Sequence, residues 1–199
     1  MRHEKVERIY RAAVEVFAEC GFEQARMDQI ARLAGVAKGT IYYHFESKEE
    51  LFAGLMNDGM NRLMEAVRQS VESRETAVEQ MRGLMEAHLR FFIRNGKLAK
   101  LVLGEVFGGL ERQRLFRAKI REYTELIEQV LRRGQRSGEF TVERPVETAS
   151  GIFGALSVLA LQKLFSLDDD PATGAEREIP VMVESMQAMI LSGIRKTGN

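Results

Sequence analysis

The chain of 199 residues carries 29 basic and 29 acidic side chains, one cysteine and three prolines, and 45% of it is hydrophobic. That balance excludes a strong basic field able to draw nucleic acid in from a distance, and the lone Cys20 excludes an intrachain disulfide and suits a reducing cytoplasm. Three scattered histidines, with no metal-ligand spacing and no glycine-rich phosphate loop, argue against an enzyme, a metal site or a bound cofactor.

Apolar positions recur at helical spacing almost throughout and strand-like alternation is scarce, so the pattern predicts an all-α protein. The charged, amphipathic start of the chain gives no expectation of a signal peptide. A first helix is predicted from about Arg2 to Cys20, ending at Gly21-Phe22, with Val6, Ile9, Tyr10, Ala13, Phe17 and Cys20 on its apolar stripe. Cys20 on that stripe reads as packing.

The stretch from Met27 to Phe45 has the layout of two short helices meeting at a glycine turn. Ile30 and Ala34 fall four residues apart on one face, and the small Ala31 beside them lets a second helix cross closely. Gly35 supplies the left-handed backbone that so tight a turn requires. Val36 and Ile41 point back into the same small core, which leaves Lys38, Gly39, Thr40, Tyr42, Tyr43 and His44 on the outer side of the second helix. An ordinary helical hairpin would show Glu, Lys and Gln there. Two tyrosines, a threonine, a histidine and a glycine serve solubility poorly, but they suit hydrogen bonds to phosphates, contact with base edges and close approach of the backbone. This is the helix-turn-helix pattern, whose second helix lies in the major groove.

Residues Ala25 to Leu51 closely resemble the DNA-binding signature of the tetracycline-repressor (TetR) family, and the signature stands near the N-terminus after one helix, as in that family. The resemblance implies an all-α fold of about nine helices, with a three-helix helix-turn-helix domain over residues 1–48. A helical ligand-binding and dimerisation domain would follow over 49–199. It implies recognition contacts by Lys38, Gly39, Thr40, Tyr42, Tyr43 and His44, and a phosphate contact by Lys48. Two positions depart from the family pattern: Arg26 stands where Thr or Ser is usual, and Ala37 where Ser is common. Loss of a side-chain cap costs about 1 kcal/mol; Arg26 can instead reach a backbone phosphate. Ser47 to Glu50 has the spacing of a capping box for the following helix.

The first 48 residues hold eight Lys or Arg against seven Asp or Glu, so tight binding requires two reader heads acting together. A dimer presents two recognition helices roughly 34 Å apart, matched to inverted-repeat half-sites of double-stranded DNA.

Further helices are predicted from Ser47 to about Val71, from Thr76 to Asn95 and from about Leu98 to Phe107 before Gly108-Gly109. The next runs from Leu110 to Ser137, with Leu115, Phe116, Ile120, Tyr123, Leu126, Ile127 and Val130 inward and Gly138 as its stop. The arginine-rich run from Glu111 to Arg121 is interleaved with apolar residues at helical spacing and reads as a solvated face. Asp168 to Gly174 reads as an exposed turn before a last helix from about Ile179 to Arg195.

The helix from about Pro145 to Leu167 is apolar or small on every side between Gly151 and Leu161, a run too short for a bilayer, so no membrane partner is expected. One face can pack into its own domain and the other needs a partner. Ser150, Gly154, Ser157 and Leu161 form a small-residue seam, and the last helix adds Met182, Val183, Met186, Met189 and Ile190. These two helices are expected to meet their copies in a homodimer, an arrangement the family resemblance also implies; burial within a monomer is the alternative. Polar groups inside apolar faces, His88, Glu105 and Tyr123, together with the adaptable Met60, Met64 and Met85, are candidates for binding a small lipophilic or aromatic effector. Each can equally be a satisfied core residue. The resulting reading is a DNA-binding transcriptional repressor released by an effector, against the alternative of a DNA-bound scaffold answering to a protein partner.

Overall fold

The computed structural model describes residues 2–104, 110–166 and 171–194. Among these residues the chain is built from nine α-helices and no strand. They are α1 (Arg2–Gln24), α2 (Met27–Leu33), α3 (Lys38–His44), α4 (Lys48–Glu72), α5 (Ala77–Arg94), α6 (Gly96–Gly104), α7 (Leu110–Ser137), α8 (Pro145–Ser166) and α9 (Pro171–Ile194).

Local chemistry accounts for most helix ends. α1 breaks at Gly21, the one non-helical residue inside it. α2 closes in a Schellman turn: the Val36 N–H donates to the Ala31 carbonyl (3.0 Å) and the Gly35 N–H to the Arg32 carbonyl (3.1 Å). Gly35 has φ +64°, and a Cβ built there meets nothing within 4 Å. Substitution of Gly35 by alanine is therefore expected to cost only the backbone strain of a left-handed L-residue, about 1 kcal/mol, read as a lower midpoint of thermal unfolding. Neither Arg26 nor Ala37 makes a side-chain cap. At α4 only half of the expected box forms. Ser47 Oγ accepts from the Glu50 N–H at 3.0 Å, but the Glu50 carboxylate accepts from Glu46 N–H at 2.6 Å rather than from Ser47. A complete capping box starts α5 instead, with Thr76 and Glu79 exchanging hydrogen bonds of 3.2 Å.

The chain divides into two compact units. One joins Met1–Gly59 to Lys97–Arg117, and the other joins Met60–Gly96 to Ala118–Asn199. Packing thus extends the N-terminal unit past residue 48 to Gly59 and assigns α6 to it. Its core is Ile9, Ala13 and Phe17 from α1, Ile30 and Ala31 from α2, Ile41 from α3, and Leu51, Phe52 and Leu55 from α4. Each such Leu, Ile or Phe contributes roughly 1.5–3 kcal/mol by leaving water. The rings of Phe17 and Phe22 meet Phe52 edge-on at 5.2 and 5.1 Å. From α6, Leu98, Ala99 and Val102 are buried. Leu98 lies over Gly59, where a Cβ would come within 2.8 Å of its Cδ2, and Lys97 pairs with Glu15.

In the second unit α5 packs against α8 and α9. Glu139 closes the N-terminus of α5 from outside the helix, its carboxylate accepting from the Ala77 and Val78 N–H groups at 3.2 Å each. α9 starts earlier than the expected Ile179. Pro171 stands at its first position, where the missing N–H costs nothing, and Pro180 lies inside it. Its early turns are tied by Arg94 to Glu176 (2.8 and 3.1 Å) and by Lys163 to Glu178. α6 begins at Gly96, ahead of Leu98. Glu105, Phe107, Gly108, Gly109, residues 168–170 and Arg195 lie outside the described residues, as do the side chains of Leu115 and Phe116. Counted over the whole helix rather than its all-apolar run, Pro145–Phe165 is long and apolar enough to cross a membrane by length and composition. Its buried Ile152, Leu156, Ser157 and Ala160 face protein, while Val158 and Phe165 on the same helix are exposed.

Candidate functional site

α3 rests on the N-terminal unit through Ile41, which is fully buried, while Val36 before it is half-buried. With Ile41 turned inward, the helical period turns its neighbours out. Tyr42 is 43% exposed and Tyr43 74% exposed. Thr40 and His44 are half-buried, and the Tyr43 and His44 rings meet edge-on at 5.2 Å. Gly39 is exposed, and a Cβ there would meet nothing within 4 Å. The backbone at this point is open to a ligand from outside.

Two basic residues of the expected interface have intramolecular partners. Lys38 pairs with Asp28 of α2 at 3.1 Å, both side chains more than half exposed, and its Nζ stands 6.0 Å from the Tyr42 ring centroid. Such an exposed pair is worth little. Lys48 donates to the Phe22 carbonyl at 2.7 Å and the Glu23 carbonyl at 3.1 Å, with its ammonium 4.5 Å from the Phe22 ring centroid. It therefore holds the end of α1 against the start of α4. Arg26 is exposed just before α2.

In the second unit the structure brings together two of the residues singled out for an effector. His88 Nδ1 and Tyr123 Oη are 2.8 Å apart, and His88 Nε2 lies 3.3 Å from Ser157 Oγ. All three are buried, and the rings of Phe92 and Phe153 stand edge-on to His88 at 4.5 and 5.8 Å. Either neutral tautomer satisfies both contacts, the phenol donating to Nδ1 while Nε2–H donates to Ser157, or the reverse. Burial pushes the His88 pKa down to about 3 and raises that of the Tyr123 phenol above its ordinary value. Met60, Met64 and Met85 are buried in the core of this unit. Glu105 lies outside the described residues.

Three residues expected between subunits belong to the interior of one. Ser157 is hydrogen-bonded to His88, and Met182 and Ile190 are buried. Gly154, Leu161 and Met186 are half-buried. The exposed apolar side chains of α8 and α9 are instead Val146, Val158, Phe165, Val181 and Met189. Gly154, Val158, Leu161 and Phe165 follow one another at spacings of four, three and four residues, a single helical face. Sequence alone could not select that face, because a helix apolar on all sides carries no periodic signal.

Comparison with known proteins bears on both units. Residues 9–55 match the family model described as bacterial regulatory proteins, tetR family, and residues 74–161 match that of the tetracyclin repressor-like C-terminal domain. The fatty acid metabolism regulator protein of Bacillus subtilis (strain 168) is 27% identical over 196 residues, covering 96% of this chain and 95% of that protein. The fatty acid degradation regulator FadR from Bacillus halodurans superposes with a TM-score of 0.84 at 26% identity, covering 95% of each chain. The transcriptional regulator FadR from Bacillus subtilis, solved in complex with stearoyl-CoA, does so with a TM-score of 0.81 at 26% identity, over 95% of this chain and 99% of that one. With a reader helix exposed on one unit, a helical second unit, and family matches spanning both, this chain belongs to the TetR family of transcriptional regulators.

Proposed function

We propose that this protein acts in the cytoplasm as a homodimer that represses transcription by occupying an inverted-repeat operator, and that a lipophilic effector of the fatty acyl thioester class releases it. The observation that carries the DNA-binding half is the outward face of α3, where Tyr42 and Tyr43 stand exposed beside the bare backbone of Gly39 while Ile41 anchors the helix. Tyr42, Tyr43, Thr40 and His44 read base edges and sugar-phosphate, Lys38 exchanges Asp28 for a phosphate, and Arg26 reaches the backbone of the duplex. Lys48, being committed to the α1 carbonyls, supports that interface as charge and positioning more than as a free donor.

The effector class is supported by the fatty-acid regulators to which the chain is similar and by a second unit whose apolar core includes Met60, Met64, Met81 and Met85. Release is proposed to run through α6 and α4. Leu98 is seated over Gly59 with no room for a Cβ between them, so a shift of α6 is felt by α4. A coupling of about 1–3 kcal/mol would lower operator affinity roughly 5- to 150-fold. One observation favours a second reading, control by a protein partner: His88, Tyr123 and Ser157 already satisfy one another. Titration of the purified protein with stearoyl-CoA while it is bound to operator separates the two readings.

Selection of genomic fragments by the purified protein tests the DNA-binding half, with recovery of inverted repeats as the expected result. Substitution of Tyr42 by alanine is expected to weaken binding to those fragments about tenfold, with unchanged unfolding midpoint and unchanged mass in solution. Unaltered affinity would remove Tyr42 from the interface.

A further inference from the structure

A concavity lies in the second unit, with neither His88 nor Tyr123 in its lining. It is a cleft of about 400 Å³ between the end of α4, the start of α5 and the last turns of α7. Val71, Leu126 and Val130 line it with apolar surface, and Gln80 and Gln129 contribute carboxamides. Arg68, Arg133 and Arg136 line it together with Glu72; Glu122 stands 4.0 Å from Arg68, and Arg133 also acts on Glu139. Gln80 is only 2% exposed, and one of its amide N–H groups is held by the Arg74 carbonyl at 3.0 Å, so the orientation of this polar group is set.

The arginines are only partly engaged by the fold. The Arg136 side chain has no hydrogen bond or ion pair among the described residues. Arg133 gives one N–H to the Glu75 carbonyl at 3.1 Å and keeps its others. Arg68 reaches Glu122 only at 4.0 Å, with both side chains nearly half exposed. Attraction to a helix C-terminus explains Arg136, which lies in the last turn of α7, but α4 has no basic residue in its last turn, so Arg68 stands outside that effect. Arginines from two helices therefore line one hollow of mixed polar and apolar surface.

We propose that this cleft binds an organic phosphate, with Arg68, Arg133 and Arg136 on the phosphate oxygens and the organic body against Val71, Leu126 and Val130. Planar guanidinium forks match phosphate oxygens in pairs. Among the described residues Arg136 has no carboxylate partner and Arg68 only the distant Glu122, so their forks are available to an anion. The volume falls within the range of small-molecule sites and exceeds what a bare anion fills, which selects an organic body. Two sources share this chemistry: a free nucleotide, or the nucleotide head of a coenzyme A thioester. Gln80 stands eight residues from His88 along α5, about 12 Å, so head and chain can occupy one unit. The head-group source rests on the effector reading given above; the cleft itself does not.

The test is calorimetric titration of the full-length protein with adenosine bisphosphate, coenzyme A, stearoyl-CoA, stearate and inorganic phosphate. It compares the wild type with the Arg133→Gln/Arg136→Gln double variant and with Arg132→Gln, which removes a neighbouring charge paired with Glu128 outside the cleft. Adenosine bisphosphate is expected to bind the wild type and the Arg132 variant alike, to lose about tenfold or more in the double variant, and to weaken with added salt. An equal loss for stearoyl-CoA, with stearate unaffected, would identify the head-group source; a loss confined to adenosine bisphosphate would identify the free nucleotide. No binding of either nucleotide probe, affinity unchanged in the double variant, or equal competition by inorganic phosphate would overturn the proposal. Stearoyl-CoA binding with no arginine-dependent binding of adenosine bisphosphate would sink the cleft alone, whereas nucleotide binding without any stearoyl-CoA binding would sink the effector reading alone.

Discussion

Substitution of Val158 by glutamate is expected to yield a folded monomer whose affinity for an inverted-repeat operator is about 100- to 10,000-fold lower. Val158 is 63% exposed in the single subunit, so a carboxylate there enters water and leaves the core untouched. Its neighbours on the same face are Gly154, Leu161 and Phe165, and Val181 and Met189 of α9 are likewise exposed. Exposed apolar side chains gathered on one helical face of a folded chain mark a place of association. In the proposed dimer the same face meets its copy, so one substitution places two carboxylates together in an apolar contact, where neither finds a cation or water. The loss of operator affinity follows because two heads joined in one particle bind with an effective concentration that separate heads lack. Sedimentation should give the mass of one protomer with unchanged helical circular dichroism. A dimer that persists, or operator affinity that does not move, would rule out this face.

Stability is expected to fall by about 1.4 kcal/mol for each pH unit as pH drops from 6.5 towards 4.5, through one group, His88. Burial, with Tyr123, Ser157, Phe92 and Phe153 around it, depresses its pKa from the ordinary 6.5 to about 3. No acidic side chain is among these neighbours, so no charge compensates a proton on the ring. Below pH 6.5 the unfolded chain takes up a proton that the folded chain refuses, and the balance shifts towards unfolding. The contribution is therefore complete above 6.5 and is lost progressively as pH falls towards about 3. Below about 4.5 carboxylates join in. Glu79 is held below its ordinary value by hydrogen bonds from Thr76, Glu139 by those from Ser137 and the α5 N–H groups, and Glu176 by Arg94. Urea unfolding across this pH range measures the slope, and the imidazole resonances of His88 in the folded protein should show no titration above pH 4.5. A resonance that titrates near 6.5 would contradict the closed core.

Helix ends were largely legible in the chain itself. Thr76 and Asn95 flank α5 as the N-cap and C-cap, Leu110 and Ser137 bound α7, and Gly35 and Gly138 take the positive φ their turns demand. The outward set on α3 was legible for the same reason, since turning Ile41 inward dictates where Tyr42 and Tyr43 point. Where reading failed, the deciding partner was distant or ambiguous. Asp168 to Gly174 read as an exposed turn, yet α9 begins at Pro171, with Glu176 reaching Arg94 across 82 residues of sequence. Ser157 looked like part of a small-residue seam, and only the approach of α5 turned it into a partner for His88.

Caps, turns and amphipathic stripes act over about four or five residues, so the amino-acid order determined the nine helices of the described residues, the glycine turn and the outward face of α3. Packing decided the pairing of His88 with Tyr123, the seating of Leu98 on Gly59, the convergence of Arg68 with Arg133 and Arg136, and the side of α8 left uncovered. Each of these depends on groups far apart in the chain, and an apolar or charged side chain carries no mark of which distant neighbour the fold will bring to it.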